Sequence, residues 1–153
     1  MMKKILVLFL LLSALAIKSQ AQANAKDVVK WKVSVQALSE NTYQLIAEAK
    51  MQDGFHIWAL DAGGDGSLIN TELLIHNPQK IEWKDNWTSN VAPKTEKYDY
   101  IDGAVHYYER GVRFTRTFTT TQKQVLQGSI RYQTCNEAMC FPPQDYAFEI
   151  SVP

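Results

Sequence analysis

Apolar and polar residues alternate along most of this chain. From Val28 onward, Val29, Trp31, Val33, Val35 and Ala37 share one side of a run whose other side carries Lys30, Lys32, Ser34 and Gln36. That is the pattern of a strand with one buried face. Ser39-Glu40-Asn41 turns the chain, and Tyr43, Leu45, Ala47, Ala49 and Met51 alternate again. Asp53-Gly54 signals a second turn before Phe55-His56-Ile57-Trp58-Ala59. Thr71 to His76 predicts a further strand, stopped by Asn77-Pro78. Val112, Phe114, Arg116 and Phe118 alternate with Arg113, Thr115 and Thr117. Ile130, Tyr132 and Thr134 lead into the first cysteine of the mature part, and Tyr146, Phe148, Ile150 and Val152 close the sequence. No segment of ten or more residues shows helical spacing.

Seven or more short strands at turn-marked intervals predict an all-β chain, folded as an immunoglobulin-like antiparallel β-sandwich. No internal repeat, low-complexity tract or interdomain linker interrupts it. Two stretches are read as irregular loops: the glycine-rich Asp61 to Asn70, and Asn86 to Asp102 with Pro93, charges and tyrosines. Loops of that size on a sandwich tend to carry function.

The first 23 residues follow another pattern. Lys3 and Lys4 precede an uncharged apolar stretch from Ile5 to Ile17, and Ala21-Gln22-Ala23 supplies an A-x-A site. This predicts a secretory signal peptide over residues 1–23, cleaved near Ala23, and a single domain over residues 24–153. The apolar stretch is shorter than the ~20 residues a membrane span needs. No cysteine follows it, so lipid attachment is not expected, and no span is expected in the mature chain. Removal of residues 1–23 leaves 130 of 153 residues and takes the net charge from zero to −3, because Lys3, Lys4 and Lys18 are lost while all 16 acidic residues stay. A mildly acidic exported domain with no basic stripe argues against nucleic-acid or membrane-surface binding. The expected location is periplasmic or secreted.

Export changes the reading of the two cysteines. Cys135 and Cys140 lie in the string Tyr132-Gln-Thr-Cys-Asn-Glu-Ala-Met-Cys-Phe-Pro-Pro143, and neighbouring thiols outside the cytoplasm are expected to form a disulfide. A staple closing about six residues constrains the unfolded chain by only roughly 2 kcal/mol. Exchange chemistry and local loop shaping therefore both stay open. Glu137, Met139 and Phe141 offer no cation to acidify either thiol. That suits a disulfide attacked by an incoming thiolate, or a dithiol handed on through a mixed disulfide. Pro142-Pro143 removes two backbone donors just after Cys140, which keeps this edge from being paired over.

The string Tyr-Gln-x-Cys-x(4)-Cys-Phe-Pro-Pro resembles the active-site hairpin of the N-terminal periplasmic domain of the thiol:disulfide interchange protein DsbD, a family also described as disulfide bond corrector or DsbC-like domains. Asp53-Gly54-Phe55-His56-Ile57-Trp58 resembles that family's glycine-aromatic strand beside the disulfide, and Tyr98-Asp99-Tyr100-Ile101-Asp102-Gly103 falls where the family has a cap loop. The resemblance spans Asn24 to Pro153, with its specificity in the cysteine-proline string. It implies an immunoglobulin-like domain relaying reducing equivalents between thioredoxin-fold proteins, with protein-disulfide reductase activity and no small cofactor. It further implies that Cys140 forms the mixed disulfide, that Cys135 resolves it, and that Tyr98 or Tyr100 caps the sulfurs. Phe141 and Pro142 complete the disulfide surroundings. The cysteine spacing is one residue shorter than in the best-known members. The family's membrane conduit and thioredoxin-like domain have no counterpart in this sequence, so a separate membrane electron donor is expected.

Other constellations are weaker. His56 invites a role in proton transfer to a leaving thiolate, against the plainer reading of a strand histidine; Trp58 shares its face as a packing wall. Cys135, Met139, Cys140 and the three histidines raise the question of copper, but His56, His76 and His106 lack ligand spacing, and no metal site is expected. Asp61, Asp65 and the glycines between them read as a turn rather than a calcium loop. Trp31, Trp58, Trp83 and Trp87 read as packing rather than a sugar platform. Asn86-Trp87-Thr88 matches a glycosylation sequon by a pattern too short to weigh. The alternative function, from another class, is a non-enzymatic immunoglobulin-like binding module whose disulfide only shapes a loop.

Overall fold

Alternation in the sequence becomes paired strands with one wet and one dry face. The computed structural model describes residues 24–77 and 80–153; the leader expected over residues 1–23 and its cleavage site lie outside these, as does Pro78. A single helical turn, α1 (Ala25–Val28), is capped by Asn24, whose side chain accepts from the Lys26 N–H at 3.2 Å. Among the described residues twelve strands follow: β1 (Val29–Ser39), β2 (Thr42–Met51), β3 (His56–Gly63), β4 (Glu72–Ile75), β5 (Glu82–Trp83), β6 (Thr88–Ser89), β7 (Lys94–Lys97), β8 (Ala104–Glu109), β9 (Gly111–Thr119), β10 (Gln124–Tyr132), β11 (Thr134–Cys135) and β12 (Gln144–Val152).

All pairings are antiparallel. The first sheet runs β1-β2-β9, with β5 and β6 both on β9; the second runs β12-β10-β4; the third runs β11-β3-β8-β7. Register sets the buried faces directly: Trp31 lies opposite Ala49, and Ala47 opposite Phe114. The main core takes Trp31, Ala47, Ala49, Val112 and Phe114 from the first sheet. The second sheet adds Leu73, Ile130 and Tyr132, and the third adds Ile57, Ala59 and Tyr108. Trp31 stacks on Phe114 at 6.3 Å and meets the edge of Tyr132 at 5.4 Å, joining two sheets. The result is an immunoglobulin-like antiparallel β-sandwich. A second apolar cluster gathers Leu45, Phe118, Leu126 and Val152. A third, smaller one holds Trp58, Ala62, Val105, Tyr107 and Cys135 on the other side of the third sheet. Among the described residues no helix is long and apolar enough to cross a membrane.

Both stretches read as irregular need correction. Asp61 to Asn70 begins inside β3, which runs to Gly63 past a register shift against β8. Gly63 and Gly64, at φ 65° and 68°, make the bend, and a Cβ on Gly64 would stand 2.9 Å from Ile101. Asn86 to Asp102 contains β6 and β7. Those short edge strands expose nearly all their side chains, β7 all four, so no alternation marks them. Arg116, grouped with Phe114 and Phe118, is half-buried because its guanidinium lies 4.1 Å over the Trp83 ring.

Candidate functional site

The third sheet separates its two faces residue by residue. Along β3, Ile57 and Ala59 enter the main core, which leaves Trp58 on the opposite face, in the small cluster with Cys135. β11 pairs with β3 so that Cys135 sits directly across from His56 and Thr134 across from Ile57. Cross-strand partners share a face, so the pairing delivers Cys135 to the Trp58 side.

Cys135 and Cys140 form a disulfide across a narrow antiparallel bridge. Their environments differ sharply: Cys135 is 1% exposed, whereas Cys140 is exposed to solvent. Between them, the Asn136 N–H donates to the Met139 carbonyl at 2.9 Å, and the Asn136 Oδ1 accepts from the N–H groups of Ala138 and Met139, each at 2.9 Å. Beyond the bridge, the Phe141 N–H donates to the Thr134 carbonyl at 2.8 Å, while its ring stacks on Phe55 at 6.0 Å. Pro142 and Pro143 are exposed, and the Gln144 amide donates to both their carbonyls at 3.1 Å.

His56 is wedged between aromatic rings, 5.0 Å from Trp58 and 4.7 Å from Tyr107. Burial lowers its pKa below the ordinary 6.5, against the opposing pull of the Glu109 and Glu96 carboxylates. Its Nε2 is buried and makes no hydrogen bond among the described residues.

The segment between β7 and β8 lies over this cluster. Tyr98 and Ile101 pack against the group that holds Trp58 and Cys135, and the Ile101 N–H closes a turn onto the Tyr98 carbonyl at 3.2 Å. Tyr100 instead stacks on the outside of Tyr98 at 5.3 Å and is 79% exposed. One carboxylate oxygen ties the segment down: the Glu96 Oε2 accepts from the hydroxyls of Tyr98 at 3.1 Å and Tyr107 at 2.9 Å. Burial first, and then this hydrogen bond and the Glu96 charge, push the Tyr98 phenol up to about 12 and that of Tyr107 higher still. A cleft of about 910 Å³ opens alongside, lined by His56, Tyr98, Tyr100, Tyr107, Asn136 and Glu137 among others.

The structure thus brings His56, Trp58 and Tyr98 around buried Cys135, puts Phe141 and Pro142 on the chain leaving Cys140, and leaves Tyr100 on the outer surface. Sequence reasoning missed Glu96, Tyr107 and Asn136. Tyr107 carried a signal in its alternation with Val105 along β8; Asn136 carried the turn chemistry of its type. Among the described residues no group of three His, Cys, Asp or Glu side chains could hold a metal ion. His76 pairs with Ser129 and His106 with Thr95, each at 3.0 Å. Asp61 and Asp65 accept from the N–H groups of Gly63 and Ser67 in tight turns. Trp83 and Trp87 pack against the cluster around Phe118.

In sequence, the family model of the N-terminal domain of the thiol:disulfide interchange protein DsbD matches residues 20–151. No protein of curated function matches the chain. Among solved structures, the N-terminal periplasmic domain of ScsB from Proteus mirabilis superposes with a TM-score of 0.57 at 16% identity, over 83% of this chain and 47% of that one. The chain therefore spans about half the length of that domain. The reduced DsbD N-terminal domain of Neisseria meningitidis gives a TM-score of 0.52 at 14% identity, over 78% of this chain and 84% of that one. The complex of the DsbD and PilB N-terminal domains from the same organism gives 0.52 at 11% identity, over 85% and 87%. At these identities the likeness is one of fold.

Proposed function

This chain belongs to the family of the DsbD N-terminal domain, and from that membership we propose that it is a thiol:disulfide interchange domain working in the periplasm or outside the cell. It relays reducing equivalents between thioredoxin-fold proteins through Cys135 and Cys140. In this reading residues 1–23 direct export and are removed near Ala23, and electrons arrive from a separate donor in the membrane. The observation that carries the proposal is the asymmetry of the sulfurs: one is shielded under aromatic rings, the other open on a loop. A purely structural bond has no use for that difference, whereas a relay needs one sulfur to meet a partner and one to wait. The complex of the Neisseria DsbD N-terminal domain with the N-terminal domain of PilB supports a protein partner.

The step proceeds by exchange. A partner thiolate attacks the Cys140 sulfur and forms a mixed disulfide; the Cys135–Cys140 bond breaks, and its electron pair leaves on Cys135. A proton from solvent reaches that buried thiolate by way of His56, across the strand pair, whose neutral ring takes up a proton on one nitrogen as it gives one from the other. The partner's second thiolate then attacks the partner sulfur of the mixed disulfide and releases Cys140. Two electrons and two protons have entered the domain, and the reverse sequence passes them on. Tyr98 covers Cys135 between encounters.

The test is the reduction potential of the pair, read by equilibrating the exported domain in graded thiol/disulfide buffers and counting free thiols by alkylation and mass. A value of roughly −120 to −270 mV is expected, the span of known exchangers. One below about −300 mV marks the bond as structural and overturns the relay.

A further inference from the structure

We propose that Asn136 is a positioning residue that sets the redox balance of the cysteine pair by holding the loop between the sulfurs in its closed shape. The idea rests on the exchange chemistry above. Beyond the backbone pairing that closes its base, the loop from Cys135 to Cys140 carries two further constraints, independent of each other. One is the covalent bond. The other belongs wholly to Asn136: its side-chain oxygen takes two backbone N–H groups, of Ala138 and Met139, and its own N–H reaches the Met139 carbonyl. The Asn136 bonds span all but the two cysteines and do not involve the sulfurs, so breaking the disulfide leaves them standing.

Two constraints on one short segment are coupled. Each removes conformational freedom that the other would otherwise have to remove, so each forms more readily when the other is present. With the Asn136 bonds in place, the reduced Cys140 thiol stays beside Cys135 at a high effective concentration, and closure of the disulfide is favoured. The same arrangement speeds resolution, because the Cys135 thiolate finds the Cys140 sulfur of a mixed disulfide already in reach. Glu137 and the side chains of Ala138 and Met139 are exposed, so apart from the disulfide the loop owes its shape to backbone groups and to Asn136.

The experiment compares Asn136→Ala, Asn136→Asp and Met139→Ala in glutathione redox buffers, with near-ultraviolet circular dichroism to confirm the fold. The reaction is disulfide plus two glutathione thiols giving the dithiol plus glutathione disulfide. Loss of the side-chain acceptor in Asn136→Ala should lower the effective concentration of the pair about tenfold, a potential less negative by about 30 mV. It should also let the mixed disulfide with glutathione accumulate. Asn136→Asp offers the same acceptor geometry and should return the pair to within about twofold of the native value. Met139→Ala keeps all three hydrogen bonds and should change nothing. A potential unmoved in Asn136→Ala, or moved equally by Met139→Ala, or not restored by Asn136→Asp, overturns the inference. The relay reading stands or falls on the absolute potential of the native domain, and this inference on differences between variants, so the two can fail separately.

Discussion

Cys135 and Cys140 are the same chemical group in different surroundings, and their reactivity should follow the surroundings. With Cys135→Ser, the lone Cys140 thiol is exposed and should be alkylated at the rate of an open thiol. With Cys140→Ser, the lone Cys135 thiol lies under Trp58 and Tyr107 and should react at least about tenfold more slowly. Equal rates would remove the basis for giving Cys140 the partner-facing role. His56 makes a second prediction. Its folded pKa lies below the unfolded 6.5, so beneath pH 6.5 the unfolded chain binds more protons at this site than the folded one. Stability from this group is complete above 6.5 and declines as pH falls toward the folded value. Urea unfolding at several pH values should show that slope, and His56→Phe should flatten it; an unchanged slope contradicts the burial argument. These residues were legible because their types are rare or their alternation is strict. Glu96 was not, since a carboxylate on a fully exposed strand looks like any solvated charge until two phenols are seen to meet on it.

The segment between β7 and β8 behaves as an element held by one carboxylate. Glu96→Gln keeps the shape but removes the charge that both tyrosine hydroxyls approach. The Tyr98 phenol should then titrate below about 12, nearer the ordinary 10.0, in an ultraviolet titration. Reduction of the disulfide by a small thiol should quicken by about threefold, the effect of weakening one or two hydrogen bonds. An unaltered rate would show that the tyrosines shield Cys135 without help from Glu96. Sequence alternation located the long strands because each has one buried face. It gave no hint of β6 and β7, which are held by backbone pairing to β9 and β8 while their side chains point into water. Their neighbours read as loop for the same reason: Pro93, lysines and tyrosines carry no period.

At the scale of the molecule, the disulfide stands apart from the structure that holds the sandwich together. The main core draws on all three sheets and omits both cysteines, and the bond closes only a short loop. Reduction should therefore cost about 2 kcal/mol or less and lower Tm by no more than about 10 °C. Far-ultraviolet circular dichroism of the reduced domain should match the oxidised one; unfolding on reduction would make the bond a staple after all. The all-β class was legible from period alone, but the number of strands was not, since β6 and β7 show no alternation. Nor was the order of strands, because alternation assigns faces and never neighbours: β4 pairs with β10 although β5 to β9 lie between them in sequence. The placement of the tryptophans has one more consequence. Trp31 sits in the main core, Trp83 and Trp87 pack with the Phe118 group, and only Trp58 shares a cluster with Cys135. A disulfide accepts an electron from an excited indole close by and darkens it. The domain should thus brighten in fluorescence when reduced and lose that change with Trp58→Phe, so that its oxidation state can be watched in solution without any label.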